Sequence, residues 1–183
     1  MRIARSGAFV SYPCRICLVA AMNPCPCGYL GDAVRQCRCT LPQIESYRHK
    51  LSGPLLDRID LHVTMGRTPP ADLMGLPQGE SSSAVATRVE AARRLQTLRY
   101  GRDGLTNASC PKALLDSNLR LQEPARGHVG MAIEAFALSG RGLDRVLRVA
   151  RTIADLAVEE EISSDHVSEA LSYRRAATEG AAA

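Results

Sequence analysis

The sequence predicts an α/β unit with a fragment of a parallel sheet, followed by an all-α helical bundle. A short, nearly continuous apolar run at residues 15–22 has the composition of a strand buried on both faces, and Ile59-Asp-Leu-His-Val63 is expected to form a second strand. A segment rich in Gly, Pro and Ser follows at residues 64–83 and is typical of a linker. Beyond it, apolar residues recur three or four positions apart, which is the spacing of amphipathic helices.

The first elements of the α/β unit precede a cysteine-rich loop. Residues 3–11 alternate loosely around Arg5-Ser6-Gly7-Ala8, which predicts a short hairpin with Gly at its turn. The run at residues 15–22 is bounded by Pro13 and by Asn23-Pro24 and is too short for a good helix. We therefore expect a buried strand there, with a buried helix turn as the alternative.

An irregular, Gly- and Cys-rich loop is expected at residues 25–39, and a helix follows it. Thr40-Leu-Pro-Gln43 has the spacing of a capping box with proline in the first turn, so the helix begins there and runs to about Leu51. Gly53-Pro54 ends it. The second strand, at residues 59–63, completes the α/β unit.

The domain boundary falls in the linker: residues 1–66 form the α/β unit, 67–83 the connection and 84–175 the helical bundle. Four helices are predicted in the bundle, and the third is the longest, at about residues 140–161. The last helix starts at Ser163 or Ser164, which have an N-cap signal. Residues 176–183 are expected to form a disordered tail.

Composition favours a cytoplasmic protein without a membrane span. No run of 18 apolar residues exists, and the basic N-terminus lacks the apolar region of a signal peptide. In a reducing compartment the seven cysteines are expected as metal ligands or as buried small side chains rather than as disulfides. Cys14, Cys17 and Cys110 are expected in the core.

The net charge of +4 resides in the N-terminal third of the chain. Residues 1–60 carry eight Lys and Arg against four Asp and Glu, whereas residues 61–183 carry fifteen of each. Such a surplus would attract a polyanion such as DNA or a nucleotide. A solvated basic face explains the same charge equally well.

Four motifs, in this order along the chain, carry a resemblance to a known family. They are Leu18-Val-Ala-Ala-Met-Asn-Pro24, Asn23-Pro-Cys-Pro-Cys-Gly-Tyr-Leu-Gly-Asp32, Leu51-Ser-Gly-Pro-Leu-Leu-Asp-Arg-Ile-Asp-Leu61 and Leu138-Ser-Gly-Arg-Gly-Leu-Asp-Arg-Val-Leu-Arg-Val-Ala-Arg-Thr-Ile-Ala-Asp-Leu156. Together they resemble the ComM/YifB branch of the magnesium-chelatase-like AAA+ ATPases, over residues 3–174. The resemblance implies a partial AAA+ core with a helical lid, ATP with Mg²⁺ as cofactor, homo-hexameric assembly, and DNA processing such as branch migration in recombination or competence.

The resemblance implies roles for an amide and a guanidinium in the α/β unit. Asn23 matches sensor 1, whose amide orients the water that attacks a γ-phosphate, although Asn before Pro24 is also common in turns. Arg58 matches the arginine finger, which reaches a neighbouring subunit's nucleotide and stabilises the charge that develops on the phosphoryl oxygens. A local ion pair with Asp57 or Asp60 is the alternative for Arg58.

In the lid, Arg141 matches sensor 2, and Arg145 is the reserve candidate for the same nucleotide contact. Residues 141, 145 and 148 share a helix face by their spacing, so they are expected either to read phosphates or to form a solvated surface. In the second case, Asp144–Arg148 and Arg151–Asp155 pair at i,i+4. The motor interpretation requires Asn23 and Arg141 to share a cleft.

Two further features point to a metal and to nucleic acid. Nine residues separate the pair Cys25 and Cys27 from the pair Cys37 and Cys39, and four thiolates this close can surround a tetrahedral zinc; free thiols in a Gly-rich loop are the alternative. Arg2 and Arg5 lie in the hairpin, which resembles the pre-sensor-1 hairpin that points into the pore of such rings and there contacts DNA phosphates. Any exposed hairpin, however, tolerates arginine.

The sequence lacks Gly-Lys-Ser/Thr and an Asp-Glu pair after an apolar run, and so has neither Walker A nor Walker B. In the family both precede the region of resemblance, so we expect a truncated chain that is inactive alone and forms no stable ring by itself. One alternative is a chelatase motor subunit for metal insertion into tetrapyrroles. Others are a non-enzymatic zinc-containing module that binds nucleic acid, and a non-functional gene fragment.

Overall fold

The computed structural model describes residues 2–5, 8–11, 16–68, 70–75 and 79–182. Two strands and eight helices occur in these ranges. They are β1 (Arg2–Arg5), β2 (Ala8–Ser11), α1 (Leu41–Arg48), α2 (Gly53–Leu56), α3 (Pro70–Met74), α4 (Ser82–Tyr100), α5 (Lys112–Asp116), α6 (Glu123–Ala135), α7 (Gly140–Leu156) and α8 (Ser164–Ala182).

The predicted N-terminal hairpin is confirmed. β1 and β2 pair antiparallel, with Arg2 opposite Ser11 and Arg5 opposite Ala8. The turn that the sequence places at Ser6-Gly7 lies outside the described residues.

The described residues do not contain the predicted parallel-sheet fragment, since their strands all belong to the hairpin. Residues 16–22 and 59–63 have no regular structure. The predicted burial of the first run is wrong, because Ile16 and Val19 are 80% and 88% exposed. A strand buried on both faces needs hydrogen-bonded neighbours and covering layers, and no described strand pairs with this run.

Two cysteine predictions depended on that strand. Cys17 is exposed, so its predicted place in the core is wrong, while Cys14 lies outside the described residues. The prediction for Cys110 is confirmed, because it is buried in a small apolar cluster with Tyr100 and Leu115.

Helix α1 begins where the sequence predicts. The backbone N–H of Thr40 donates to Oε1 of Gln43 at 2.9 Å, which is half of the predicted capping box. The helix ends at Arg48, slightly before the predicted Leu51. Gly53 and Pro54 then open the short helix α2 instead of simply ending α1.

The predicted helical bundle is formed by α4, α6, α7 and α8, and its core lies between the last three. Most of the buried positions are small, and alanine lets helix axes approach closely. The core residues are Ala125, Ala132, Val146, Ala150, Ala154, Ile162, Val167, Ala170 and Leu171. Helix α8 continues to Ala182 through the predicted tail, in a sequence rich in alanine, the strongest helix former.

A buried polar network joins α4 to α7. Arg151 and Asp155 are both fully buried, and Nε of Arg151 donates to the Asp155 carboxylate at 3.2 Å. Nη1 of Arg99 donates to the same carboxylate at 2.9 Å. The side-chain amide of Asn107 also donates to this carboxylate, at 2.8 Å. Arg151 also donates to the carbonyls of Glu159 and Glu160, at 2.6 Å each. The pair 151–155 is therefore interior, which contradicts the solvated pair that the alternative interpretation of the lid predicted.

Among the described helices, none is both long enough and apolar enough to cross a membrane.

Candidate functional site

A cleft of about 510 Å³ lies between α2 and the N-terminal end of α7. It brings together two of the predicted site residues, Arg58 and Arg141. The complete lining is Gly53, Pro54, Leu56, Asp57, Arg58, Phe136, Ala137, Leu138, Ser139, Arg141, Gly142, Leu171 and Arg174. Residues far apart in sequence thus form one concave surface.

The walls of the cleft are tied together through Asp57. Its carboxylate accepts a hydrogen bond from Nη2 of Arg174 on α8 at 2.6 Å, and from Oγ of Ser139 at 3.3 Å. Nη1 of Arg174 donates to the carbonyl of Ile59 at 3.1 Å. These contacts attach the segment that follows α2 to both lid helices α7 and α8.

Arg58 does not form the local ion pair that was its alternative role. Its Nη1 donates to the carbonyl of Pro54 at 2.7 Å, and its side chain forms no ion pair with a described acidic residue. The neighbouring carboxylates are engaged elsewhere, Asp57 by Arg174 and Asp60 by Arg145. The guanidinium of Arg58 is exposed and keeps donors available for an anion.

Arg141 is the second exposed guanidinium of the cleft. Its side chain has no ion pair or hydrogen bond with another residue in the described part of the chain. It lies in the first turn of α7, a 17-residue helix whose N-terminal end carries partial positive charge. Two guanidinium groups without acidic partners and a helix N-terminus therefore face one cleft, which favours an anion such as phosphate.

Arg145 and Arg148 do not face this cleft. Arg145 pairs with Asp60. Arg148 donates to Asp144 at 2.7 Å and to the carbonyls of Asn107 and Cys110 at 2.6 and 2.8 Å. The predicted Asp144–Arg148 pair is confirmed, and both arginines have structural partners.

Asn23 lies elsewhere. It lines a separate cleft of about 340 Å³ with Ala21, Met22 and Tyr47. The expected common cleft for Asn23 and Arg141 is therefore absent from the described residues, so within them the condition that the motor interpretation set is not met. The physical reason is that residues 16–22, which were to hold Asn23 at the edge of a sheet, do not pair as a strand.

Asp57, Ser139 and Arg174 were missed as members of the cleft. The sequence drew attention to Asp57 only as an ion-pair partner of Arg58, in the alternative to the arginine finger. Nothing in the sequence connects Ser139 or Arg174 with that segment, because both contacts join residues more than 80 positions apart.

The Ser139 hydroxyl also caps α7, which gives a testable prediction. It accepts from the backbone N–H of Gly142 at 3.0 Å. Ser139→Ala should lower the free energy of unfolding by about 1 kcal/mol, the usual effect of losing an N-cap. Urea unfolding followed by circular dichroism measures it, with Ser168→Ala as the matched control.

The Ser168 hydroxyl donates to the carbonyl of Ser164 within α8, at an exposed position. Its replacement should leave stability within about 0.5 kcal/mol, because alanine is the better helix former and no cap is lost. Equal losses in the two variants would contradict the role of Ser139 as a cap.

The four predicted cysteine ligands are brought together. The Sγ atoms of Cys25, Cys27, Cys37 and Cys39 all lie within 4.8 Å of one another. Hydrogen bonds from the backbone N–H groups of Arg38 and Tyr29 lower the pKa of Cys27 to about 6. Burial raises the pKa of Cys39 to about 12. A cluster of this kind could bind a metal.

The hairpin arginines Arg2 and Arg5 are placed only by their backbone. They occupy the two ends of β1, at residues paired with Ser11 and Ala8. Their side chains lie outside what the structure describes, so their contact with DNA stays a prediction.

Comparisons with known proteins agree with the resemblance seen in the sequence. Residues 1–73 match the family described as "Magnesium chelatase, subunit ChlI", and residues 79–174 match "Magnesium chelatase, subunit ChlI C-terminal". The chain is 36% identical over 173 residues to competence protein ComM of Haemophilus influenzae, which covers 94% of this chain and 33% of that protein.

Two proteins called YifB are also similar. The uncharacterized YifB of Escherichia coli is 40% identical over 177 residues, which cover 95% of this chain and 34% of that protein. The uncharacterized YifB of Salmonella typhimurium is 38% identical over 183 residues, with the same coverage of both chains. The chain thus spans about a third of the length of these curated relatives.

Proposed function

The chain belongs to the magnesium chelatase subunit ChlI family, and from this premise we propose that it supplies the arginine finger and the lid of an ATP-driven, DNA-processing motor. Because Asn23 lies in another cleft, the proposal does not rest on it, and the single observation that carries the proposal is the cleft lined by Arg58 and Arg141, neither of which has an acidic partner among the described residues. The similarity to a protein named competence protein ComM supports DNA as the partner. Such a role implies a cytoplasmic location and, as the resemblance does, a hexameric ring.

In this proposal both guanidinium groups contact the same triphosphate. Arg58 acts as the arginine finger and Arg141 as sensor 2, and each is suited to an anion because a guanidinium stays charged and donates in a fixed planar geometry. That the two line one cleft supports their contact with one nucleotide. Magnesium bound with ATP neutralises charge on the phosphates, and the Walker residues that hold it are not in this sequence.

Asn23 and Arg145 have secondary roles in the proposed motor. Asn23 is proposed as sensor 1 on the resemblance alone, and its contact with nucleotide requires residues 16–22 to take up a position beside a further strand. Arg145 is proposed to hold the finger segment through Asp60 rather than to bind nucleotide itself. Arg2 and Arg5 are proposed to contact DNA phosphates.

The test combines the chain with a separately expressed, P-loop-containing segment of the same family and measures ATP hydrolysis with and without DNA. We expect hydrolysis that needs both proteins and rises with DNA. Arg141→Ala should weaken apparent ATP affinity by at least about tenfold, since a hydrogen bond between charged groups contributes about 1.5–3 kcal/mol. Arg102→Ala, an exposed arginine outside the cleft, should leave it unchanged.

Other outcomes would favour other functions. A rate of ATP hydrolysis that is unchanged by DNA but rises when a tetrapyrrole metallation substrate is added would favour a chelatase motor. DNA binding without any effect on hydrolysis would favour a non-enzymatic, zinc-containing module, the second candidate that the cysteine cluster and the basic hairpin support. Identical ATP affinity for the Arg141 and Arg102 variants would remove sensor 2 from the proposal.

The DNA contact has its own measurable signature. If Arg2 and Arg5 each neutralise one phosphate, the double substitution to alanine should lower the slope of log K against log salt by about 1.8 on duplex DNA. Fluorescence anisotropy with a labelled duplex measures the slope at several salt concentrations. A weakened affinity with an unchanged slope would show that the hairpin arginines do not neutralise phosphates.

A further inference from the structure

We infer that Cys25, Cys27, Cys37 and Cys39 form a closed, structural zinc site that organises residues 23–39. The site is independent of the ATPase proposal, since none of its ligands lines the cleft of Arg58 and Arg141. It rests on the geometry of the sulfurs, on the chemistry of the donor set and on the lack of an apolar core around this loop.

The distances among the sulfurs of Cys25, Cys27 and Cys37 match those of a tetrahedral site, and Sγ of Cys39 lies within 4.8 Å of all three. Zinc–sulfur bonds of about 2.3 Å place the ligand atoms about 3.8 Å apart in a regular tetrahedron. Sγ of Cys25 lies 3.4 Å from that of Cys27 and 3.7 Å from that of Cys37, and Cys27 and Cys37 are 3.6 Å apart. A disulfide would need about 2.0 Å, and all four cysteines are free.

The donor set selects the metal. Four soft thiolates favour zinc or an iron–sulfur cluster over the hard cations Mg²⁺ and Ca²⁺. With four protein ligands, a tetrahedral zinc has no position left for water, so the site is structural rather than catalytic. The close Cys-x-Cys spacing is accommodated by a tight turn, in which Gly28 adopts φ of +81° and its N–H donates to the carbonyl of Cys25 at 3.0 Å.

A backbone amide also contacts the sulfur cluster. The N–H of Cys39 donates to Sγ of Cys37 at 3.4 Å. Such donors orient ligands and offset the negative charge that thiolates bring to a metal.

The loop has little else to hold it. Residues 25–39 contain no helix or strand, and Cys25 is their only fully buried side chain. The remaining contacts are polar, such as the guanidinium of Arg35 stacked 4.3 Å above the ring of Tyr29 and the ion pair of Asp32 with Arg67 at 3.6 Å. A bound metal supplies the cross-link that a hydrophobic core would otherwise provide.

The zinc site also fixes Asn23. A Cβ at Gly28 would lie 3.7 Å from the side chain of Asn23, in van der Waals contact, so this asparagine lies beside the turn that contains the first two ligands. Loss of the metal should therefore loosen Asn23 together with the loop, while the helical bundle keeps its fold.

The experiment measures metal in the chain purified under reducing conditions without chelator. Elemental analysis should find about one zinc per chain. The double variant Cys25→Ser/Cys37→Ser should lose it, whereas the control Cys17→Ser, at an exposed cysteine outside the cluster, should keep it. Circular dichroism of each variant checks that the bundle remains folded.

Cobalt gives a second readout that does not depend on a variant. Replacement of the metal by Co²⁺ should produce the strong thiolate charge-transfer and ligand-field bands of tetrahedral tetrathiolate cobalt. A chain that stays free of zinc on addition of the ion, a double variant that retains stoichiometric zinc, or purified protein carrying iron and sulfide would each overturn the inference.

Discussion

Arg58→Ala should reduce kcat for ATP hydrolysis about a thousandfold or more when the chain acts with a P-loop-containing segment. An arginine finger stabilises charge that develops on the transferred phosphoryl oxygens and contributes about 10³–10⁵ in rate. The guanidinium is free for this task because its neighbours Asp57 and Asp60 bind arginines of the lid. Steady-state hydrolysis at saturating ATP separates this effect on kcat from one on binding.

A conservative variant distinguishes a finger from a structural residue. Arg58→Lys keeps the positive charge but loses the planar, multiple donors, so we expect a rate between those of the wild type and the alanine variant. Stability should change little in both variants, since Arg58 makes one described contact, to the carbonyl of Pro54. Rates within about threefold of the wild type for Arg58→Ala would reject the finger.

Asp155→Ala should lower the free energy of unfolding by about 3–5 kcal/mol. The substitution leaves Arg151 fully buried without its carboxylate and also removes the acceptor of Arg99 and Asn107. Burial already lowers the pKa of Arg151, because desolvation disfavours its charged form. Urea unfolding followed at helical wavelengths measures the loss directly.

Asp116→Ala is the matched control. Asp116 also pairs at i,i+4, with Lys112 at 3.0 Å, but both side chains are about half exposed. An exposed pair of this kind contributes about 0.3–0.5 kcal/mol. If both aspartate variants lose the same small amount, the buried network does not hold α4 against α7.

Features that depend on local sequence were predictable. The capping box at Thr40 and the hairpin each require only neighbouring residues, and the long lid helix follows from its regular apolar spacing. The run at residues 16–22 was predicted as a buried strand, but burial depends on partners that its own sequence does not specify. The same apolar composition is therefore compatible with the exposed segment that the structure contains.

The contacts of the candidate cleft were likewise only partly predictable from local sequence. Arg58 and Arg141 could be singled out from their motifs, and the cysteine cluster from its spacing. Their partners could not, because Asp57 binds Arg174 and Ser139 across more than 80 residues of sequence. Likewise, the spacing of Arg151 and Asp155 is that of a surface pair, and its interior partners Arg99 and Asn107 lie 56 and 48 residues from Asp155 in sequence.

The aspartates on either side of Arg58 form ion pairs with lid helices, and these ion pairs couple the position of Arg58 to the position of the lid. Asp57 is held by α8 through Arg174, and Asp60 is held by α7 through Arg145. A rotation of these helices as one body must carry Arg58 with them, together with Arg141 at the start of α7. In the proposed motor, the two guanidinium groups would then approach or leave a phosphate together.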